Sequence, residues 1–304
     1  MRPEASAIEE DLGEAVATFT KLRPRLYGIA YRVLGSTVEA EDVVQEAWLR
    51  WQRTDRSAVV DPAAFLSSTT VRLAINVAQS ARVRRETYVG PWLPEPVDTA
   101  IDPIAEAEPT DALELALLLV LQRLTPTERA AYVLREAFGY AYAEIAEMLG
   151  LSPVNARKIV SRARKHLADD QHGSVDNREH TRLLEAFIAA AQDGDVASLE
   201  ALLTPDAVSL SDGNGLRGAS RIPVVGRARV ANIASALPRL WPGEARVVEA
   251  NGRSAVLLYQ GEQPIVFMTI AASDQGIHQV LWVFNPSKIA AFIGSRNRFA
   301  TVPR

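Results

Sequence analysis

The residues best suited to binding chemistry are two carboxylates, an amide and a leucine within one short stretch, Glu39–Trp51. They are Asp42, Gln45, Glu46 and Leu49. Because their spacing is i, i+3, i+4 and i+7, they share one face of the predicted helix, while the opposite stripe is apolar and predicts burial. A polar face that keeps an apolar side chain indicates a docking surface, and its acidity favours a basic partner. The alternative is a solvated acidic helix with one exposed leucine.

A second set of polar residues has the layout of a helix-turn-helix. A predicted first helix, Tyr142–Leu149, ends at Gly150, and Ser152 followed by Pro153 is typical of the start of a second helix. No acidic residue occurs in 148–168. The outer face of the second helix carries Asn155, Arg157, Lys158, Ser161, Arg162 and Lys165. Such a face suits the major groove of DNA, whereas the alternative is a basic solvated helix.

A third polar stripe lies on a helix that is predicted to begin at Asp61-Pro62. It consists of Arg72, Asn76, Ser80 and Arg82, followed by Arg84 and Arg85. Alone, this stripe is equally consistent with a solvated face and with a nucleic-acid surface. The helix-turn-helix on the same chain favours the second interpretation.

Acid–base catalysis has few candidate residues. They are Asp212, Asp274, His278 and Tyr259. A lone histidine on a strand is more often a packed core residue, and Gly213-Asn214-Gly215 is typical of a hairpin turn rather than an anion site. The chain has no cysteine, and its four histidines lack metal-ligand spacing, so we expect neither a metal nor a cofactor. Catalysis is therefore a weaker hypothesis than the binding of a small apolar ligand without turnover.

Length and composition indicate a globular chain of two or three domains. The 304 residues are 48% hydrophobic and 23% charged, which is ordinary for globular proteins. The start lacks an apolar signal-peptide region, and the longest apolar run, Leu115–Leu121, is too short to span a bilayer. Since there are also no cysteines for disulfides, we expect a cytoplasmic protein without a membrane partner.

The elements that must position these residues fall into four segments. A helical segment at 12–86 is followed by a linker at 87–112 that is rich in proline and acid, and then by a second helical segment at 113–168. At 178–296, two helices precede short β-branched runs that are separated by turns. We therefore expect a multidomain fold, with two all-α domains followed by an α+β cone domain that has a curved antiparallel sheet.

These motifs together resemble those of the extracytoplasmic-function sigma factors. The run EAEDVVQEAWLRW at Glu39–Trp51 resembles their region 2.2. The segment 12–86 is similar to their σ2 domain, and 113–168 is similar to their σ4 domain with its helix-turn-helix.

The resemblance implies roles for the three polar surfaces. The face with Asp42 and Leu49 would dock on the β′ clamp helices of core RNA polymerase. The stripe with Arg72 would read the minus-ten element of promoter DNA, and the loop 52–61 would help to capture an unpaired base. The helix that begins at Pro153 would read the minus-thirty-five element.

The C-terminal segment resembles one branch of this family, the sigma factor J type, whose members carry a SnoaL-like cone domain. The motifs are WLPEP, a glycine-rich turn and NPSKI, with the residues Trp92, Leu93, Pro94, Glu95, Pro96, Asp212, Gly213, Gly215, Asn285, Pro286 and Lys288. The resemblance implies that these residues connect domains and that the cone domain is a built-in regulator of polymerase binding. The chain departs from the branch at Leu216, where a lysine is usual, and at Ser287, where an aspartate is usual.

Two other hypotheses stay open. One is a DNA-binding regulator that never joins polymerase, although such a protein has no use for the face with Asp42 and Leu49. The other is a cone domain that senses a ligand or works as an enzyme of the polyketide-cyclase or isomerase kind. Under all of these hypotheses, including the sigma factor, we expect a monomer when the protein is free.

Overall fold

The computed structural model describes residues 3–99, 114–168, 173–240 and 243–300, without the side chains at 3–11, 82–86, 238, 240 and 295–300. The described residues group into two compact units. The first unit contains those in 3–83 and 121–168, and the second contains those in 84–99, 114–120 and 173–300. The described part of the segment between the two predicted helical domains, 87–99, thus groups with the C-terminal residues.

Helices make up the first unit, and helices and strands together make up the second. The helices are α1 (Pro3–Leu34), α2 (Thr37–Arg53), α3 (Pro62–Glu86), α4 (Leu115–Leu121), α5 (Pro126–Glu136), α6 (Tyr142–Leu149), α7 (Pro153–Ala168), α8 (Asn177–Asp193), α9 (Val196–Leu202), α10 (Arg227–Ser235), α11 (Leu237–Leu240) and α12 (Pro286–Ala300), with a 3-10 turn at Arg56–Ala58. The strands are β1 (Leu203–Asp212), β2 (Val224–Val225), β3 (Glu244–Ala250), β4 (Arg253–Gln260), β5 (Gln263–Ser273) and β6 (Gly276–Val283). Among the described helices, none combines the length and apolar character that crossing a bilayer requires.

Local capping sets the helix bounds in the first unit. The Ser36 hydroxyl accepts a hydrogen bond from the backbone N–H of Glu39 at the start of α2. Thr125 and Glu128 form a reciprocal capping box at the start of α5. Gly150 ends α6 with a φ of 67°, which a side chain would disfavour.

Buried polar groups fix the packing of the first unit. The indole Nε1 of Trp51 donates to the carbonyl oxygen of Ala15 over 3.2 Å, which joins α2 to α1. Arg129 is 5% exposed, and its guanidinium donates to the carbonyl oxygen of Val33 in α1 and to those of Leu121, Gln122 and Leu124 before α5. Because these carbonyls take up its donors, the buried charge is well solvated by the protein.

The sheet of the second unit has the strand order β2-β1-β6-β5-β4-β3. The expected α+β domain is confirmed, but the sheet is mixed, whereas the sequence predicted antiparallel pairing throughout. The pair β1–β6 is parallel, with Leu210 opposite Leu281, and the other four described pairs are antiparallel. The reason is the connection after β1: the chain passes through β2, α10 and α11 before the β3–β6 meander returns beside β1.

The two faces of this sheet carry separate apolar clusters. Along β6, Val280 and Trp282 belong to one cluster, while Leu281 and Val283 belong to the other, as the alternation of a strand requires. Residues of α8, α9 and α10 complete the first cluster. The second cluster includes residues of α4 and α12 and Leu93 from the linker, so the linker contributes to the core.

A buried histidine makes the second unit sensitive to acid. His180 in α8 is 4% exposed, and its Nε2 lies 3.1 Å from the carbonyl oxygen of Ile270, so the neutral ring donates there. Burial lowers the pKa of His180 from its ordinary 6.5, and Arg253 lowers it further, although the bond to Ile270 opposes the shift. Since the unfolded chain then binds a proton that the folded chain does not, we expect the unfolding free energy to fall as the pH drops below about 6.5.

Amide hydrogen exchange of β5, corrected for intrinsic rates, measures this effect at pH values of about 7.5 and about 5.5. The His180→Gln variant is expected to lose part of the pH dependence, because its side chain does not titrate. A variant with the same pH dependence as the native chain would contradict the assignment to His180.

Candidate functional site

The acidic and apolar face of α2 is accessible in the structure. Asp42, Gln45 and Leu49 are exposed, and Leu49 keeps 37% of its surface in contact with solvent. Glu46 is half-buried and accepts a hydrogen bond from Nε of Arg50 over 2.8 Å, a pair at i,i+4. The other side of the helix is buried, at Ala40, Val43, Val44, Ala47 and Trp51. The four predicted residues therefore lie together on the side of α2 that is away from the core.

The helices α6 and α7 form the predicted helix-turn-helix. Six side chains on the outer face of α7 are exposed, at Asn155, Arg157, Lys158, Ser161, Arg162 and Lys165. The inner face is buried, at Ala156, Val160, Ala163 and Leu167. The backbone N–H of Asn155 donates to the Ser152 hydroxyl over 3.3 Å, so Ser152 caps the helix as its type predicts.

Neighbouring side chains hold several of these arginines. The guanidinium of Arg157 lies 5.2 Å from the ring centroid of Tyr142, and that of Arg135 lies 4.8 Å from the same ring. Arg162 Nε is 3.7 Å from a carboxylate oxygen of Glu128. The face is thus basic, with Arg157 oriented at its N-terminal end, where base contacts are made in helix-turn-helix proteins.

The predicted minus-ten stripe meets the helix-turn-helix within the first unit. Arg72 Nε donates to the carbonyl oxygen of Met148 over 2.9 Å, and its Nη2 donates to that of Glu147 over 3.3 Å. These carbonyls lie in the last turn of α6, where a cation is favoured. Asn76 and Ser80 are exposed. The side chains of Arg82, Arg84 and Arg85 lie outside the described residues.

A second contact joins the same parts of the first unit. The hydroxyl of Tyr140 donates to the Ser67 hydroxyl of α3 over 2.9 Å, and Arg25 Nε donates to the Tyr140 hydroxyl over 3.1 Å. Two surfaces that the sequence assigns to DNA are therefore held next to each other.

In the second unit, Asp212 collects the three predicted interdomain motifs at one carboxylate. It is fully buried, and one of its oxygens lies 2.6 Å from Nζ of Lys288. The same oxygen accepts the backbone N–H of Leu93 over 2.8 Å. The other oxygen accepts the hydroxyl of Tyr88. Because every polar contact of this carboxylate leads to the linker or to Lys288, Asp212 ties the linker to the sheet.

Lys288 is equally enclosed. Its Nζ also donates to the carbonyl oxygen of Leu93 and lies 4.2 Å from the centroid of a Trp92 ring. The backbone N–H groups of Phe284 and Asn285 donate to the Asp212 carbonyl oxygen over 2.7 Å and 3.0 Å. The start of the NPSKI motif is thus fixed to the end of β1.

Tyr88 completes this arrangement, although the sequence analysis did not single it out. Its hydroxyl accepts a hydrogen bond from the Asn285 amide over 2.9 Å while it donates to Asp212. Burial raises the pKa of the Tyr88 phenol, and the carboxylate of Asp212 raises it further. The phenol therefore stays protonated and remains a donor to Asp212.

The other residues of the WLPEP motif and of the glycine-rich turn differ in burial. Leu93, Pro94 and Pro96 are buried, while Trp92 and Glu95 are half-buried. The predicted turn at Gly213–Leu216 is confirmed: the Leu216 N–H donates to the Gly213 carbonyl, and Asn214 and Gly215 have φ values of 46° and 84°. The side chain of Leu216 is 45% exposed and takes no part in the hydrogen bonds of the Asp212 carboxylate.

Two further polar contacts hold the linker and the residues just after it, and the sequence did not indicate either of them. The linker N–H of Val97 donates to the side-chain oxygen of Asn251 over 3.0 Å, and the Asn251 N–H donates back to the Val97 carbonyl. Arg253 pairs with Glu114, two residues after the linker. The Asn251-Gly252 dipeptide is a strong hairpin signal that could have located the turn, but no local pattern indicates its linker partner.

The candidate acid–base residues do not form a catalytic group. Asp212 is opposite Val283 in β6, five residues along the strand from His278 and hence about 16 Å away. Tyr259 lies under the guanidinium of Arg246, 4.2 Å from ring centroid to Cζ, and Asp274 is exposed in the β5–β6 turn. Since Asp212 is enclosed by its partners, it is not available as a general base.

Comparison with known proteins agrees with the arrangement of the helices. Sigma-70 region 2 matches residues 18–86, and Sigma-70 region 4 matches residues 114–167. The chain is 41% identical over 206 residues to the ECF RNA polymerase sigma factor SigJ of Mycobacterium tuberculosis, which covers 66% of this chain and 65% of that relative, just under two thirds.

A further relative and a solved structure match over longer stretches. The chain is 32% identical over 244 residues to the probable ECF RNA polymerase sigma factor SigI of the same organism, covering 78% of this chain and 81% of SigI. The crystal structure of the Mycobacterium tuberculosis extracytoplasmic function sigma factor SigJ matches with a TM-score of 0.74 and 32% identity. That match covers 90% of this chain and 98% of the solved one.

Proposed function

Because the chain belongs to the extracytoplasmic-function RNA polymerase sigma factors, we propose that it docks on core RNA polymerase through α2 and directs transcription from a promoter that α3 and α7 read. The observation that carries the proposal is the exposed Leu49 on the same face of α2 as acidic and amide side chains. A simple repressor would use the basic face of α7 but would have no partner for this surface.

The docking surface suits the β′ clamp helices as a basic partner. Leu49 supplies an apolar anchor at the C-terminal end of the face, and Gln45 and Asp42 supply polar contacts one and two helical turns before it. Of the two carboxylates on this face, Glu46 already pairs with Arg50. Asp42 is therefore the carboxylate that is available to a basic partner. Burial of Leu49 on docking would remove an exposed apolar side chain from water.

Promoter binding requires the first unit to open. Elements about 25 base pairs apart are separated by about 85 Å along DNA, at roughly 3.4 Å per base pair. The bond between Arg72 and the Met148 carbonyl cannot persist while α3 and α7 occupy two such elements. We therefore propose that the described arrangement is a closed state, in which Arg72 is withheld from DNA.

The second unit is proposed to regulate this opening. The described linker residues 87–99 group with it, as do the end of α3 and residues 114–120, and the linker lies between α3 and α5 along the chain. The contacts of Asp212, Asn251 and Arg253 hold the linker in place. A linker that is held restricts how far α3 and α7 can separate, and a linker that is released does not.

Run-off transcription tests the proposal directly. With core polymerase and a promoter from the DNA upstream of the protein's own reading frame, we expect a transcript only when the chain is added. A chain truncated after about Asp170 is expected to give several-fold more transcript, because the linker is no longer held.

Truncation also removes residues against which the linker packs. A full-length variant therefore gives a second test. Tyr88→Phe deletes one of the linker's bonds to Asp212 and should raise the output in the same direction, while Tyr259→Phe is a matched control in the same unit. Equal output from the native and truncated chains would show that the second unit is a passenger. Lower output after truncation would show that it activates instead.

A further inference from the structure

The connection between β1 and β3 is strongly basic in an otherwise acidic chain. From Gly213 to Gly243 there is no acidic residue, while the net charge of the whole chain is -4. Five arginines occur in this stretch: Arg217, Arg221, Arg227, Arg229 and Arg239. A segregation of this kind marks a local field that attracts anions, whatever the net charge of the protein.

Four of these side chains flank the edge strand β2, and we call them the arginine surface: Arg217, Arg221, Arg227 and Arg229. All four are exposed. None of them forms an ion pair or a side-chain hydrogen bond with a residue that the structure describes. Elsewhere in the same unit, Arg182, Arg246 and Arg253 each pair with a carboxylate.

The positions of these cations are unfavourable for the folded chain alone. Arg227 and Arg229 lie in the first turn of α10, where the helix dipole disfavours positive charge. The cap residue Gly226 offers no side-chain oxygen to the first N–H groups, and this turn has no acidic residue. Like charges gathered without counter-charges repel one another, and a bound polyanion would remove that repulsion.

We propose that the arginine surface binds the phosphate backbone of duplex DNA. Guanidinium groups donate paired hydrogen bonds to phosphate oxygens, and DNA is the densest line of negative charge that a promoter-bound protein meets. In α10, only the first turn carries arginines of this surface, and we expect contacts to phosphates and not to base edges, so the binding is independent of base sequence. This inference rests on the proposed function, which brings the chain to a promoter.

DNA bound at the arginine surface would also contact residues that pack against the linker. Gly90 of the linker packs against the backbone of Arg221, with a φ of 94° that suits glycine. Gly215 packs against the side chain of Val89. DNA held at the arginine surface therefore contacts the loop on which the linker rests, next to Asp212.

The salt dependence of DNA binding tests the proposal in the full-length chain. The probe is a duplex of random sequence without promoter elements, and affinity is measured by fluorescence anisotropy over a series of NaCl concentrations. For the double variant Arg227→Gln/Arg229→Gln, we expect the slope of log K against log salt to decrease by about 1.8, since each phosphate contact contributes about 0.9. Arg227→Lys/Arg229→Lys keeps both charges and should keep most of the slope.

A matched control removes the same charge from another helix start in the same unit. Arg178→Gln/Arg182→Gln changes two exposed arginines of α8 and is expected to leave the slope as in the native chain. Equal slopes for this control and for the α10 variant would overturn the proposal. A native chain that does not bind the random duplex at low salt would overturn it as well.

Two further results distinguish this proposal from a surface that binds an acidic protein and from the proposed function itself. An α10 variant that binds DNA normally but binds core polymerase more weakly would overturn the proposal and assign the surface to an acidic protein. If the native chain together with core polymerase bound promoter and random duplexes equally, the proposed function would fail. The slope difference between the α10 variant and its control would still support the arginine surface.

Discussion

The Asp212→Ala variant is expected to destabilise the second unit by about 3–5 kcal/mol, because it leaves the charge of Lys288 buried without its counter-charge. The side chain of Lys288 is 6% exposed, so water cannot replace the lost carboxylate without opening the structure. The Leu93 N–H and the Tyr88 hydroxyl lose their acceptor at the same time. Amide hydrogen exchange of β1 and β6 measures the loss, while α2 in the first unit serves as an internal reference.

Two variants control this result. Asp212→Asn/Lys288→Met removes both charges and should recover much of the stability, since a buried ion pair contributes little net free energy compared with apolar groups of similar size. Asp274→Ala removes an exposed carboxylate from the same unit and should change stability by less than about 0.5 kcal/mol. If the single and double variants at the ion pair were equally unstable, the cause would be the lost hydrogen bonds to the linker and not the uncompensated lysine.

The same variant tests regulation. Because Asp212 connects the sheet with Leu93 and Tyr88, its loss should release the linker even when the first unit keeps its fold. Run-off transcription with Asp212→Ala should then increase in the same direction as with the truncated chain. If the linker were released in this variant and the amount of transcript did not change, the contacts of the linker would not be the cause of regulation.

The Gln45→Ala/Leu49→Ala variant is expected to lose binding to core polymerase by roughly 30-fold or more, equivalent to about 2 kcal/mol. Leu49 is the apolar anchor of the proposed docking face, and Gln45 lies one helical turn before it. Neither side chain is buried in the first unit, so the variant should fold as the native chain does. Co-purification with core enzyme, followed by titration of labelled chain, measures the change.

A matched control lies on another helix of the same unit. Val16→Ala truncates an apolar side chain of α1 that is 44% exposed, and it should leave polymerase affinity unchanged. If Gln45→Ala/Leu49→Ala bound core enzyme as well as the native chain, the docking face would be misassigned. DNA binding through α7 should be equal in both variants, which distinguishes lost docking from lost folding.

Much of the helical architecture was predictable because the signals that define it are local. Ser152, Pro153 and Gly150 set the bounds of α6 and α7 through capping and positive φ, which act within a few residues. The periodic apolar residues of α2 likewise predicted which side is buried. In the C-terminal region, β-branched runs and turn residues located β3–β6.

No local sequence pattern indicated β2, α10 and α11 or the parallel pairing of β6 with β1. The strand β2 has only two residues, too few for an alternating pattern to be recognised. The direction of β6 beside β1 depends on the long connection between them, and that information is not present in either strand alone.

The sequence by itself determined which surfaces this protein has: an acidic face with a leucine on α2, a basic face on α7 and three motifs around Asp212. Only the tertiary structure decided what those surfaces contact within the chain. It joins Arg72 to the end of α6, 75 and 76 residues away, and joins the Asp212 carboxylate to the backbone of Leu93, 119 residues away. The physical reason is range: caps and helical periodicity act over about four residues. The partners of a buried charge are set by whichever distant segments the fold brings within hydrogen-bonding distance.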